Sequence, residues 1–281
     1  MLPLPFLHRL GALLGALVYR IPNESTHATR VNLSICFPEL SPDEREALTK
    51  VSMKEMGKAV FEAGPLWLWS AEKANAYINN IQGEDIYDRA VEAKQGVIVL
   101  TPHLGNWEIL NFYLSRASQQ VTGLYSPHTM PAVDALVYKG RGRTGSILVP
   151  ATPKGLIKVR KALSHCGITM ILPDQQPHRD NGVYAPFFGQ TALTMRLIYA
   201  MLQKTNSRIV CMYGKRLDHG EGFDIVCREP DALIYSEDAQ ESIAALNRSM
   251  EQCIRDIPEQ YNWAYKRFSK QPEHQRLYKK N

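Results

Sequence analysis

The stretch Thr101-Pro102-His103-Leu104-Gly105-Asn106-Trp107-Glu108 places an imidazole five positions ahead of a carboxylate. Two residues so spaced along one helix would differ by roughly 140° and point apart. If His103 lies on a loop and Glu108 in the first turns of a helix, the Gly105-Asn106 turn can fold the imidazole back onto the carboxylate. Glu108 would then accept from one ring nitrogen, fix the tautomer and stabilise the imidazolium formed when the other takes a proton. Such a base could activate a substrate hydroxyl, a contribution of roughly 100- to 10,000-fold in rate. A chance pairing is the bland alternative. A metal site is another, but it needs further ligands, and the sequence has neither His-Glu-x-x-His nor Cys-x-x-Cys.

The elements around the pair suit the chemistry. Gly96 to Leu100 is a short apolar run rich in β-branched residues, which reads as a buried strand. Trp107, Leu110 and Leu114 then recur at helical spacing. The pair therefore lies where a strand hands over to a helix, the edge at which open α/β sheets bind ligands. Residues 121–125, 146–150, 168–173, 207–213 and 223–228 also read as strands, with helical patterns between several of them. This alternation predicts an α/β fold with a mostly parallel central sheet flanked by helices. The last two strands are expected to form an antiparallel hairpin around the turn cluster 218–222. Asp174 and Gln175 close the strand at 168–172, on the same sheet edge as His103. Asp174 can orient a substrate hydroxyl, hold an arginine or cap a turn.

Other segments carry chemistry of their own. Lys139, Arg141 and Arg143 alternate with glycines, and as a loop they could clamp phosphate through bidentate arginine contacts. They could equally be a solvated basic loop. Lys154, Lys158 and Lys161 share one helix face, a solvated surface or a dock for an acidic protein. Val183 to Phe188 offers aromatic surface that could line an apolar groove or belong to the core. The first twenty residues are the least polar part of the chain. The apolar run at 10–19 is short of the ~20 residues a membrane span needs, and basic residues flank it. It reads as an interfacial helix, with a core helix or a secretory signal as alternatives. Ser41-Pro42-Asp43-Glu44 is a capping-box start for a helix expected to end at Gly64-Pro65. Trp67 and Trp69 follow, as core or at a headgroup boundary. Ser236 is the expected cap of a last helix, striped by Ile243, Leu246, Met250, Ile254 and Ile257.

The 281 residues divide on this reading into a helical, membrane-associating region at 1–70 and an α/β domain at 71–281, together one continuous unit. Five scattered cysteines, an odd number, suit buried thiols better than a disulfide framework. The net charge of +5 suits anionic membranes, phosphorylated lipids or an acidic carrier protein. No nucleic-acid-binding motif accompanies it.

His103 to Glu108 resembles the His-x4-Glu/Asp motif of the bacterial lipid A biosynthesis (late) acyltransferases, within the lysophospholipid-acyltransferase-like superfamily. Asn32 to Ser41, Tyr138 to Arg143, Ile171 to Gln175, Gly182 to Gly189, and Pro258 to Trp263 with Lys266-Arg267-Phe268 are similar to further blocks of that family, in the same order. The wider glycerolipid acyltransferases carry Asp at the position of Glu108 and a Phe-Pro-Glu-Gly motif. Pro173-Asp174-Gln175 stands in its place here, which favours the lipid A branch.

The resemblance implies a glycerolipid-acyltransferase-like fold with an N-terminal membrane-associating segment. It implies acyl transfer from acyl-acyl carrier protein to a hydroxyl of a lipid A precursor, at the cytoplasmic face of the inner membrane. His103 would be the general base and Glu108 its orienting partner. Asn106, Lys139, Arg141, Arg143, Asp174 and Gln175 are the candidate substrate-binding set. No metal, nucleotide, other cofactor or covalent acyl-enzyme is implied, nor any nucleic-acid partner, and the chain is expected to act as a monomer. No Gly-x-Ser-x-Gly elbow is present. Rival readings are a lysophospholipid or other amphipathic acceptor, a coenzyme A donor, a non-catalytic lipid-binding protein, and a metal-dependent hydrolase.

Overall fold

The computed structural model describes residues 2–127, 129–272 and 276–279. Helices α1 (Leu4–Arg20), α2 (Glu24–Cys36), α3 (Pro42–Leu68) and α4 (Ala71–Asn75) precede the first strand, β1 (Ile78–Gln82). Then follow α5 (Glu84–Glu92), β2 (Val97–Leu100), α6 (Glu108–Leu114), β3 (Thr122–Tyr125), α7 (Pro131–Gly142), β4 (Ile147–Pro150), α8 (Pro153–Ser164) and β5 (Ile168–Ile171). The chain continues through β6 (Gly182–Phe187), β7 (Gln190–Met195), α9 (Leu197–Leu202), β8 (Arg208–Arg216), β9 (Phe223–Arg228) and α10 (Ala239–Asp256).

The central sheet has the order β1-β9-β8-β2-β5. It is parallel except between β8 and β9, the expected hairpin. A parallel bridge from Val121 to Ile168 leads into the parallel pair β3–β4. Every residue of β2 is buried because both faces of the sheet are covered. Ile98 and Leu100 join a core with α2, α8, α9 and α10, while Val97 and Val99 join a second core with α1, α4, α5 and α6. The alternation follows from the two-residue period of a strand. All five cysteines are free, and only Cys166 is less than fully buried.

The capping box at Ser41 and Glu44 is present, but α3 does not stop at Gly64-Pro65. It runs through Pro65 to Leu68, and the Pro65 carbonyl accepts from Trp69 N at 2.8 Å. Proline removes one hydrogen bond there, yet burial of Leu66 and Trp69 secures the last turn. Trp69 stacks on Tyr77 at 4.6 Å and is a core residue. The cap of α10 is Asp238, which accepts from Glu241 N, not Ser236, which accepts from Asp238 N one step earlier. Val183 to Phe188 lies on the β6–β7 hairpin, which was not anticipated from the sequence. Phe187 and Phe188 are buried there among other aromatic rings, so they line no open groove.

Of the N-terminal segment at 1–20, Met1 lies outside the described residues. The remainder forms α1, which packs on α3 along a glycine seam. A Cβ on Gly57 would come within 2.0 Å of the Gly11 carbonyl oxygen, so the two backbones touch. Leu4, Leu7, His8, Gly11 and Gly15 face inward, whereas Phe6, Leu13, Leu14 and Leu17 are exposed. Among the described residues no single helix is long and apolar enough to cross a membrane.

Candidate active site

Strand register assembles the site. Leu100 of β2 pairs with Ile171 of β5, and the Ile171 carbonyl accepts from Thr101 N at 3.1 Å. His103 and Asp174 each stand three residues beyond that pair, so they emerge side by side at the carboxyl edge of the sheet. Nδ1 of His103 donates to Asp174 Oδ1 at 2.7 Å, and the His103 backbone N–H donates to Oδ2 at 2.9 Å. Burial alone would raise the Asp174 carboxyl, but its interaction with His103 and hydrogen bonds from His103 and Tyr261 hold it below the ordinary carboxylate value. His103 remains 18% exposed at its side chain, against 2% for Asp174. The imidazole can therefore meet a substrate while its partner stays dry. Its Nε2 lies 3.1 Å from Gln175 Nε2, and Trp107 packs edge-on at 5.0 Å.

The carboxylate that orients His103 is therefore Asp174, and the expected Glu108 contact is replaced by another. Glu108 opens α6 and binds Arg141: Nε donates to Oε2 at 3.1 Å and Nη2 to Oε1. Asn111 Nδ2 donates to the same Oε2 at 3.2 Å. The turn between His103 and Glu108 cannot fold one onto the other because it is pinned from both sides. The Gly105 N–H donates to the Gln260 carbonyl at 3.0 Å and the Asn106 N–H to the Gly214 carbonyl at 2.8 Å. Gly105 has φ +56, and a Cβ there would meet the Gly214 oxygen at 2.0 Å, so the turn requires glycine.

Asn106 does not present its side chain to a substrate. It is buried; Oδ1 accepts from the backbone N–H groups of Glu108 and Ile109 at 3.0 and 3.2 Å, and Nδ2 donates to Glu62 at 2.8 Å. It caps α6, which sequence reasoning missed. The basic block is helical rather than a loop. Lys139 and Arg141 lie in the last turn of α7, and Arg143 follows as its C-cap. Gly140 allows α7 to cross α3: a Cβ there would meet the Trp67 carbonyl oxygen at 2.7 Å. The three cations do not converge. Arg141 turns inward to Glu108, Arg143 Nη1 donates to the Leu68 carbonyl at 2.6 Å, and Lys139 is exposed. Attraction to Glu108 outweighs the cost of burial and raises the Arg141 guanidinium further. Lys154, Lys158 and Lys161 do share one exposed face of α8.

A cavity lies beside the pair. It is small, about 50 Å³, and Gly123, Leu124, Leu148, Met170 and Leu172 line it together with Trp107, Asn111, Arg141 and Ser146. Among the described residues no group of three or more His, Cys, Asp or Glu side chains could hold a metal ion.

A carboxylate-held histidine stands at the carboxyl end of a parallel sheet, and the helix that follows opens on Glu108, which is ion-paired with Arg141. The chain belongs to the bacterial lipid A biosynthesis acyltransferase family, whose model matches residues 1–270, and it is an acyltransferase. It is 28% identical over 274 residues to the lipid A biosynthesis lauroyltransferase of Escherichia coli K12, covering 97% of this chain and 88% of that protein. It is 26% identical over 272 residues to the palmitoleoyltransferase of the same organism, covering 96% and 87%. Its identity with the myristoyltransferase is 24%, over 93% of this chain and 79% of that protein.

Proposed function

We propose that the protein moves a fatty acyl chain from acyl-acyl carrier protein to a hydroxyl of a lipid A precursor at the cytoplasmic face of the inner membrane. Nε2 of His103 removes the proton as the hydroxyl oxygen attacks the thioester carbon. Asp174 keeps the proton on Nδ1 and stabilises the imidazolium that forms. The tetrahedral intermediate expels the thiolate, which takes the proton back from Nε2, so the imidazole is again neutral and an ester bond has replaced the thioester. Glu108 holds the Arg141 guanidinium at the cavity, where it can face the oxyanion that develops on the thioester oxygen.

The observation that carries this reading is the His103–Asp174 pair at the sheet edge in a chain of this family. The exposed apolar face of α1 supports membrane attachment. The exposed lysine face of α8 supports docking of an acidic carrier protein. The test is mass spectrometry of purified protein incubated with a lipid A precursor and acyl-acyl carrier protein. We expect the precursor to gain the mass of one acyl group, and His103→Ala to abolish the gain. Transfer only to a lysophospholipid, or only from acyl-coenzyme A, would replace the acceptor or the donor in this reading.

A further inference from the structure

Glu62 is fully buried on α3, directly beneath the active-site turn. Its carboxylate gathers donors from three distant parts of the chain. His8 Nε2 of α1 lies 2.5 Å from Oε1. Arg216, at the end of β8, donates from Nε to Oε1 at 2.5 Å and from Nη2 to Oε2 at 2.7 Å. Asn106 Nδ2 donates to Oε2 at 2.8 Å. Arg216 Nη2 also reaches the Gly105 carbonyl at 3.2 Å, and its Nη1 reaches Glu55 at 3.0 Å. Both residues of the turn between His103 and Glu108 are thus tied to one ion-paired cluster. The other end of the Asn106 amide caps α6, the helix that Glu108 opens.

A buried ion cluster is weak as a stabilising device, because apolar residues of similar volume often replace one at no loss. This one lies where stability alone would not require it. Apart from the Arg216–Glu55 pair, which leads back to α3, its links lead to the 105–106 turn or to the N-terminal helix. We propose that Glu62 is a positioning residue for acyl transfer. It holds the Gly105–Asn106 turn so that His103 and the Glu108–Arg141 pair keep their relative placement, and through His8 it ties that placement to α1. The proposal rests on the assignment of His103 and Arg141 given above.

The test is steady-state kinetics on full-length Glu62→Gln and His8→Ala, with thermal melts and His103→Ala in parallel. A group misplaced by about 1 Å can cost about 100-fold in rate. Folded Glu62→Gln should therefore lose about 10- to 100-fold in kcat, while KM for the acyl donor stays within about 3-fold. A merely structural residue would lower the melting temperature and leave kcat of the folded protein unchanged; kcat within about 2-fold of the parent overturns the proposal. If Glu62→Gln does not fold, His8→Ala decides. Arg216 and Asn106 still hold Glu62 in that variant, so a kcat loss of about 3- to 10-fold at unchanged KM is expected, and an unchanged kcat overturns the proposal. A dead His103→Ala beside a fully active Glu62→Gln sinks this proposal alone. An active His103→Ala sinks the mechanism itself, and this proposal with it.

Discussion

His103 and Asp174 meet because their strands are in register. Leu100 faces Ile171, and three residues beyond that pair the imidazole Nδ1 stands 2.7 Å from a buried carboxylate oxygen. The partner of His103 is set by sheet pairing across 71 residues of sequence, rather than by the motif that carries His103.

Asp174 should therefore matter as the orienting group. Asp174→Asn keeps the shape but cannot stabilise the imidazolium, and the tautomer it favours is wrong. In a Ser-His-Asp triad the same change costs about 10,000-fold in kcat. Here we expect a loss of at least about 100-fold in a protein that still melts cooperatively. Turnover within about 10-fold of the parent would return the orienting role to another group.

Arg141 and Arg143 should separate sharply. Arg143 contacts a backbone carbonyl at the surface, so Arg143→Ala should cost about 1 kcal/mol or less and leave turnover near the parent. Arg141→Ala strands the nearly buried Glu108 carboxylate. A double-mutant cycle between Arg141→Met and Glu108→Gln should show a coupling of about 1–3 kcal/mol in stability. Both single variants should lose kcat. Equal effects of the two arginine-to-alanine changes would revive the clamp that the spacing of the basic block suggests.

The apolar outer face of α1 should bind lipid. Fully burying a leucine or phenylalanine side chain contributes about 1.5–3 kcal/mol. Replacing Phe6, Leu13 and Leu17 together by serine should lower partitioning onto anionic phospholipid vesicles by at least about 10-fold. The fold should survive, since these three side chains are exposed. Co-sedimentation with vesicles measures the first effect and thermal melts the second. Undiminished sedimentation would mean that α1 is not the attachment face.

Much of this architecture was legible in the sequence. The β2 run, the strand-to-helix position of His103 and the β8–β9 hairpin follow from apolar patterning and turn composition. Asp174 could be placed on the right edge, but its partner could not, because register between strands distant in sequence leaves no local mark. The β6–β7 hairpin hid behind its aromatic content. Its two-residue turn puts Phe188 at φ 50 and Gly189 at φ 74, and only the glycine advertises the positive φ such turns require. The glycines of the basic block pointed to a loop, whereas Gly140 serves a helix crossing. Glu62 and Arg216 carried no signal at all. A charge inside a helix reads as a solvated face, and only the packing of α1 and α3 against the turn buries it.

That burial makes Glu62 a measurable part of the acid stability. Burial would raise its carboxyl, but Arg216 and His8 pull it from 4.5 down to about 2. A group whose folded value is depressed contributes stability that is fully present above its unfolded value and is lost as pH falls through the folded one. The contribution should therefore be intact above about pH 4.5 and disappear toward pH 2. A depression of this size corresponds to about 3 kcal/mol. In Glu62→Gln the group no longer titrates, so that part of the pH dependence should vanish even though the variant is less stable at neutral pH. Urea unfolding at pH 7, 4.5 and 3 measures it. The parent should lose stability more steeply than Glu62→Gln between pH 4.5 and 3. Parallel curves for the two proteins would mean that the carboxylate of Glu62 is not held ionised by its partners.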